Sequence, residues 1–376
     1  MEGFDISPVL KQFAKCDILN KKTTKREVIM DQIRNDLKPM SVGDVLDYSV
    51  EAFKQNFKGL VLLSLILYIP WIVFYSLTVN IFAGDQMSGI FDMYKDMFSG
   101  TYSSDMLNKY ITETSTFQNG ITGVMSSLQI LYSITIKLVL NAAVIKMIYN
   151  YALSGKVEVN TFSDAIKHIK GCFRYMPKMI GNALLFVIIV GAAYLVSVIA
   201  AALIIMIPIV IIVSTGIPPV IMGIIIALLV LFVLVGVVFC IGFFAIKFMF
   251  GANIIVLEEK PVFESFKRSF YLSKGRFWHI ALASIFAILL YYLFNWLLVG
   301  ATMLLAVVNN TLYIVVNTFS QICAALMEPF ILVYITVLFV NMKVQKEGLD
   351  LEVKMRKLIS DEKTRLNNVD GETADA

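Results

Sequence analysis

One acid in this sequence stands inside a long apolar run: Glu328, in Ala325-Leu326-Met327-Glu328-Pro329. An ionised carboxylate surrounded by hydrocarbon is costly, so such a residue is by default a candidate for an ion, proton or substrate site. Pro329 removes a backbone hydrogen bond beside it, and the loosened carbonyls could face a cavity or an ion. A structural role, with the acid protonated or paired, competes with that reading. Lys137 is the one base well inside an apolar run. Lys146 and Lys247 fall near run ends, where a long stem lets the ammonium reach water. If Lys146 and Lys343 lie at equal depth, Glu328 stands roughly 9 Å along the axis from Lys137. A Lys137–Glu328 pair then needs an extended side chain or a shifted helix. Asn317 joins these two as the third member of a candidate intramembrane polar site lining a path between helices. As hydrogen-bonding groups, Asn141, Asn295, Asn317 and Gln321 also fit as glue between helices.

Little else in the chain points to chemistry. The four cysteines have no metal-site spacing, and only His168 and His279 are there to complete one. There is no phosphate-binding glycine loop, zinc-protease pair or nucleophile elbow. Trp71, Trp278 and Trp296 read as interface anchors or packing. Gly181, Gly191, Gly223, Gly236 and Gly242 would permit close helix contact. Without a converging nucleophile or acid–base set, the expectation is a protein that is not an enzyme, with no cofactor and no metal.

The elements that must carry Glu328 and Lys137 follow from composition. Of 376 residues, 58% are apolar and 16% charged, with mean hydropathy +0.76. Soluble domains run near half apolar and a quarter charged, so a disordered, nucleic-acid-binding or ordinary cytosolic protein is excluded. Six apolar stretches, near Gly59–Ala83, Ile121–Tyr151, Met179–Val213, Val220–Phe250, Ile280–Val308 and Leu312–Met342, each reach the length of about 20 residues that an α-helix needs to cross a bilayer. Barrel strands would alternate over about ten residues, which these runs do not. The spacing predicts a tight turn over Ser214–Pro219. The first 56 residues are polar, so the first span is expected to act as its own insertion signal.

Lysine and arginine set the expected orientation. Of 32 such residues, 27 fall in alternate connections and termini, and two lie in the Gly84–Gly120 loop. The positive-inside rule then places both termini in the cytoplasm and that loop outside the cell membrane. Cys16 and Cys172 fall on the cytoplasmic side, Cys240 and Cys323 within spans, so no disulfide framework is expected.

Segments beginning at Ser41, Thr161 and Pro261 align without gaps. Each has an acid three residues on (Asp44, Asp164, Glu264), a bulky apolar residue two later (Leu46, Ile166, Phe266) and a closing base (Lys54, Arg174, Lys274). Each reads as an amphipathic interfacial helix, capped at Ser41 or Thr161, with a base suited to the helix C-terminus and to anionic head groups. In the first, Val45, Leu46, Ser49, Val50 and Phe53 share one face. The predicted unit is one interfacial helix plus two crossings, used three times in parallel. The fold class is therefore all-α: a six-helix polytopic membrane protein with a membrane domain over 41–342. Its repeats cover about 41–151, 161–250 and 261–342, with an outer loop at 84–120. An N-terminal segment (1–40) and a charged tail (343–376) flank it, with helices expected over Thr24–Leu37 and Glu347–Asn367.

Three stretches carry a family resemblance over about Pro39–Leu351. Ser41-Val42-Gly43-Asp44-Val45-Leu46-Asp47 with Phe53-Lys54-Gln55-Asn56-Phe57 is similar to the opening of the glycerophosphoryl diester phosphodiesterase membrane-domain family. Val256-Leu257-Glu258-Glu259 through Phe266-Lys267-Arg268-Ser269-Phe270 and Ser273-Lys274-Gly275-Arg276-Phe277-Trp278 resembles its most recognisable segment. The end, Val337–Asn341 with Lys346–Leu351, looks like its closing motif, although Phe339-Val340-Asn341-Met342-Lys343 replaces the usual Tyr-Tyr-Asp-Leu-Arg run. The resemblance implies the membrane part alone, because the catalytic barrel found beside it in some members has no counterpart here, and no catalytic residue carries over. The expected function is a non-catalytic scaffold or accessory subunit at the cytoplasmic leaflet. Its partners would be membrane lipids and a membrane or cytoplasmic protein, and not nucleic acid. The alternative is a transporter or lipid-handling channel with a polar path near Glu328.

Overall fold

The computed structural model describes residues 38–79, 81, 116–214, 219–306, 310–349, 351–352 and 355. The predicted Thr24–Leu37 helix, nearly all of the 84–120 loop, the turn after Ser214 and most of the charged tail lie outside these residues. Every regular element described is helical. Five helices are long and apolar enough to cross a membrane, or six if one bent pair counts as a single span.

In chain order the helices are α1 (Val42–Gln55), α2 (Phe57–Leu67), α3 (Ile69–Val79), α4 (Thr116–Ile134), α5 (Ile136–Ser154), α6 (Phe162–Cys172) and α7 (Met176–Ser214). There follow α8 (Pro219–Phe248), α9 (Gly251–Leu257), α10 (Val262–Ser273), α11 (Phe277–Ala306), α12 (Asn310–Met327) and α13 (Pro329–Glu347). The three short amphipathic helices α1, α6 and α10 gather with most described lysines and arginines at one end of the bundle, the basic end. Ser41 and Thr161 each accept a hydrogen bond from the backbone N–H of an acid that caps them in return, Asp44 and Asp164. This double bond satisfies two otherwise orphaned N–H groups at each helix start. Pro261, at the corresponding place before α10, supplies no side-chain cap.

The apolar stripes of these helices face protein. Val45, Ser49, Ala52 and Phe53 of α1 are buried, as are Ala165, Ile169 and Cys172 of α6 and Phe266 and Leu272 of α10. Helix α1 packs on α11 and α13, α6 on α2 and α5, and α10 on α8 and α9. Around them α5, α9 and α13 form a closed core that includes Ile145, Ile148, Ile254, Val337 and Phe339, all fully buried. The α7–α8 hairpin packs chiefly on itself and presents residues such as Val187, Ile199, Leu228 and Phe232 outward.

Polar bonds tie the base. Met40 N–H donates to Asn341 Oδ1 at 2.9 Å, and Asn341 Nδ2 donates back to the Met40 carbonyl at 3.2 Å. Asn253 Nδ2 donates to Thr336 Oγ1 at 3.0 Å between α9 and α13. Of the glycines expected at close contacts, Gly181 alone has a near neighbour, Val262, while Gly191, Gly223, Gly236 and Gly242 face open space. The tight approaches are at Gly59, against Met147 and Val159, and at Gly251, against Asn182.

Glu258, at the rim of the base, receives Arg268 Nε at 3.1 Å and Lys343 Nζ at 3.2 Å, and Arg268 also holds Glu347. Burial alone would raise the Glu258 carboxyl, but the Arg268 hydrogen bonds and the Lys343 charge outweigh it and hold the group below its ordinary range. A depressed folded value means the stabilisation is complete above the unfolded value, about 4.3, and is lost as pH falls through the folded one. Thermal unfolding followed from pH 7 to pH 3 should therefore show a drop in midpoint below about pH 4. Glu258→Gln should flatten that drop; an unchanged profile would contradict the assignment.

Candidate functional site

One span bends sharply and two others are locally interrupted within otherwise continuous runs, and these three places meet. Pro70 sits in the first turn of α3 and cannot donate back into α2, so the chain bends by 54° at Tyr68. Between α4 and α5, Ser133 Oγ donates to the Gln129 carbonyl at 2.8 Å and Thr135 Oγ1 to the Leu131 carbonyl at 2.6 Å. Hydroxyls that bond back to the preceding turn bend helices, and Thr135 leaves helical geometry at φ −118°, ψ −88°. Between α12 and α13 the interruption is Glu328 itself, followed by Pro329 as the first residue of α13.

Register explains why the breaks coincide. Helices α5 and α13 each run 19 residues from the break to a left-handed glycine, Gly155 (φ 67°) and Gly348 (φ 64°). Measured back from these glycines, Lys137 and Glu328 differ by two residues, about 3 Å of helix rise. Aligning Lys146 with Lys343 predicts a 9 Å separation because those two lysines are not at equivalent places in their helices. Tyr68 lies about 15 Å of helix rise from Lys58 at the start of α2.

At this level Lys137 Nζ and Glu328 Oε1 form an ion pair. The Tyr68 ring faces the Lys137 ammonium at 5.1 Å, with its hydroxyl in the neighbourhood of Glu328. Tyr68 stacks on Tyr132 (6.0 Å between centroids), which stacks on Trp71 (4.9 Å). The Tyr132 hydroxyl donates to the Leu67 carbonyl at 2.7 Å, satisfying an acceptor at the bend. Trp71 Nε1 donates to Gln129 Oε1, closing a polar link from α3 to α4. Further out, Ser76 and Thr318 hydroxyls meet at 3.2 Å between α3 and α12. The pair is not sealed: 23% of the Lys137 side chain and 31% of the Glu328 side chain remain accessible. A closed ion pair of this kind can be opened by a competing charged group, and the adjoining phenol can give or accept a hydrogen bond when it opens.

Asn317 stands on α12, about 16 Å of helix rise from Glu328, and is not among the partners of the pair. Asn295 donates to the Tyr291 carbonyl of its own helix rather than between helices. Lys247 does not reach outward from its helix end: it is buried, and its ammonium points at the Ser273 carbonyl and the Phe270 ring. The six residues singled out on the amphipathic segments stay at the basic end. Asp44 and Asp164 cap α1 and α6, Lys54 and Glu264 occupy the last turn of α1 and the first turn of α10, and Lys274 closes α10. Arg174 pairs with Glu259 across to the end of α9. Sequence reasoning missed Tyr68, Tyr132 and Gln129; Pro70 and the Ser133–Thr135 hydroxyls were the signals that marked where they would be brought in.

No curated protein and no solved structure matches the chain. Residues 97–342, which take in both members of the ion pair, match the domain of unknown function DUF7847, and the chain belongs to that family.

Proposed function

We propose that this is a non-catalytic multi-pass protein of the cell membrane that moves or shelters a charged or amphiphilic molecule at Lys137–Glu328. The observation that carries this is a partly accessible ion pair where one bent span and two locally interrupted ones meet, inside runs apolar enough to cross a membrane. Charges are costly within such runs and mark transport or binding paths, and the bend at Tyr68 places polar backbone beside the pair. Three parallel repeats with cytoplasmic termini complete the reading. Reciprocal caps at Ser41 and Thr161 support it. So do left-handed residues at Gly155, Glu259 and Gly348, each closing the second crossing of a unit. A cyclic arrangement adds to this, since each amphipathic helix packs on the crossings of the preceding unit and α1 on those of the last.

The test uses proteoliposomes carrying fluorescent anionic and zwitterionic lipids. Lys137→Gln/Glu328→Gln, which removes both charges together, should slow lipid transfer to the protein-free rate while the protein still inserts and folds. The exchanged pair Lys137→Glu/Glu328→Lys should retain transfer. A second reading, a scaffold or accessory subunit at the cytoplasmic leaflet, is favoured by the fully packed base with its ring of ion pairs. Equal transfer by wild type, the neutral variant and empty liposomes would leave that reading in place of the first.

A further inference from the structure

Four cations collect around the C-terminus of α10. Lys346 Nζ donates to the Tyr271 and Lys274 carbonyls, both at 2.6 Å, and Lys247 Nζ reaches the Ser273 carbonyl at 3.4 Å. Cations suit a helix C-terminus, where unpaired carbonyls concentrate partial negative charge. That partial charge is about half a unit, however, and it is answered here by several full charges. Lys247, Lys274 and Arg276 all act on Lys346 as like charges, and the carboxylate opposing them is Glu347. Glu347 is already held by Arg268 Nη1 at 2.5 Å and Nη2 at 2.7 Å. Among the described residues the cluster is therefore left with excess positive charge. His279 adds an unpaired polar atom: its Nε2 is buried with no hydrogen-bond partner, and Arg276 lies beside it.

The surroundings indicate what such a cluster meets. Lys274 and Arg276 are exposed on either side of Gly275, whose φ of 79° turns the chain sharply between α10 and α11. Trp278, 67% exposed, and the exposed Phe270 and Tyr271 ring the same turn. Exposed aromatics of this kind sit at head-group level. Above them α11 offers an outward apolar face at Leu282, Ile285 and Leu289. A basic recess beneath aromatic anchors, with apolar helix rising from it, suits a phosphate below two acyl chains.

We propose that the turn between α10 and α11 binds a phosphate-bearing anionic head group, with Lys274 and Arg276 as its outer contacts and Lys346 and His279 behind them. This site is separate from the Lys137–Glu328 pair, and its test involves no transport. The full chain, purified in neutral detergent, is titrated with dioctanoyl phosphatidylglycerol, inorganic phosphate and dioctanoyl phosphatidylcholine while the unfolding temperature is followed. Phosphatidylglycerol should raise that temperature saturably and phosphatidylcholine should not. Lys274→Gln/Arg276→Gln should weaken the response about 30-fold, whereas Lys156→Gln/Lys167→Gln, exposed just before and on α6, should not. Arg276→Gln alone gives a smaller step in the same direction if the double variant folds poorly. Stabilisation by inorganic phosphate equal to that by the lipid assigns the site to free phosphate, and stabilisation by the lipid alone assigns it to head groups. The proposal is overturned if neither anion binds, if phosphatidylcholine binds equally, or if both double variants respond alike.

Discussion

Lys137→Met alone should lower stability by about 3 kcal/mol, because it strands the Glu328 carboxylate at a depth where an unpaired charge is expensive. Glu328→Leu should cost about the same by leaving the ammonium unpaired. The double variant should cost much less than the sum, since both charges then leave together, and the coupling should be about 2 kcal/mol. Unfolding midpoints of the four proteins in mixed detergent measure it directly. Strict additivity would mean that the two groups do not stabilise one another, whatever their proximity. Tyr68→Phe provides a finer reading. It keeps the ring against Lys137 and removes only a hydroxyl in the neighbourhood of Glu328, so its cost should be no more than about 1 kcal/mol.

The second large effect is expected at Asn341, where α13 closes on the segment that leads into α1. Its amide donates to and accepts from the Met40 backbone, and it also accepts from Gln345 Nε2 at 3.2 Å. The residue is fully buried. Asn341→Leu would leave the Met40 N–H without its partner and weaken the hold on its carbonyl, for a loss of about 2 to 3 kcal/mol. Asn341→Asp keeps the acceptor, loses the donor and buries a charge, so it should be no better tolerated. Proteolysis before Ser41 offers a local readout: faster cleavage in both variants, with the core of α5 and α13 retained, is the expected pattern. Unchanged cleavage would show that other contacts hold this strand of chain.

How far these features were legible depends on the residue type involved. Long apolar runs announce helices in hydrocarbon because no other backbone form satisfies its own hydrogen bonds there. The reciprocal caps at Ser41 and Thr161 were legible because they are local, three residues apart. Glu328 was conspicuous as a lone acid, and Pro329 gave away its break. What could not be read was register between distant helices. It depends on where each helix ends, and the left-handed glycines at positions 155 and 348 set that more faithfully than the lysines nearby. The role of Asn341 was hidden for a related reason, since its partner is a backbone three hundred residues away in sequence. The stripes on α1, α6 and α10 were recognisable as apolar, but amphipathicity alone does not say whether lipid or protein covers them.

Helix α7 spans 39 residues, about 58 Å if straight, against a hydrocarbon thickness of about 30 Å. Even a tilt of about 40°, the upper end of what is usual, leaves it some 14 Å too long. Its partner α8 is also longer than a minimal span, and many of the side chains along both helices face outward. The surplus greasy length must be met by a thicker sheet of lipid or by some other cover at the far end. Vesicles made from short-chain lipids would strand that tip in water, so acyl-chain length becomes a variable to match before any assay of this protein is compared between laboratories.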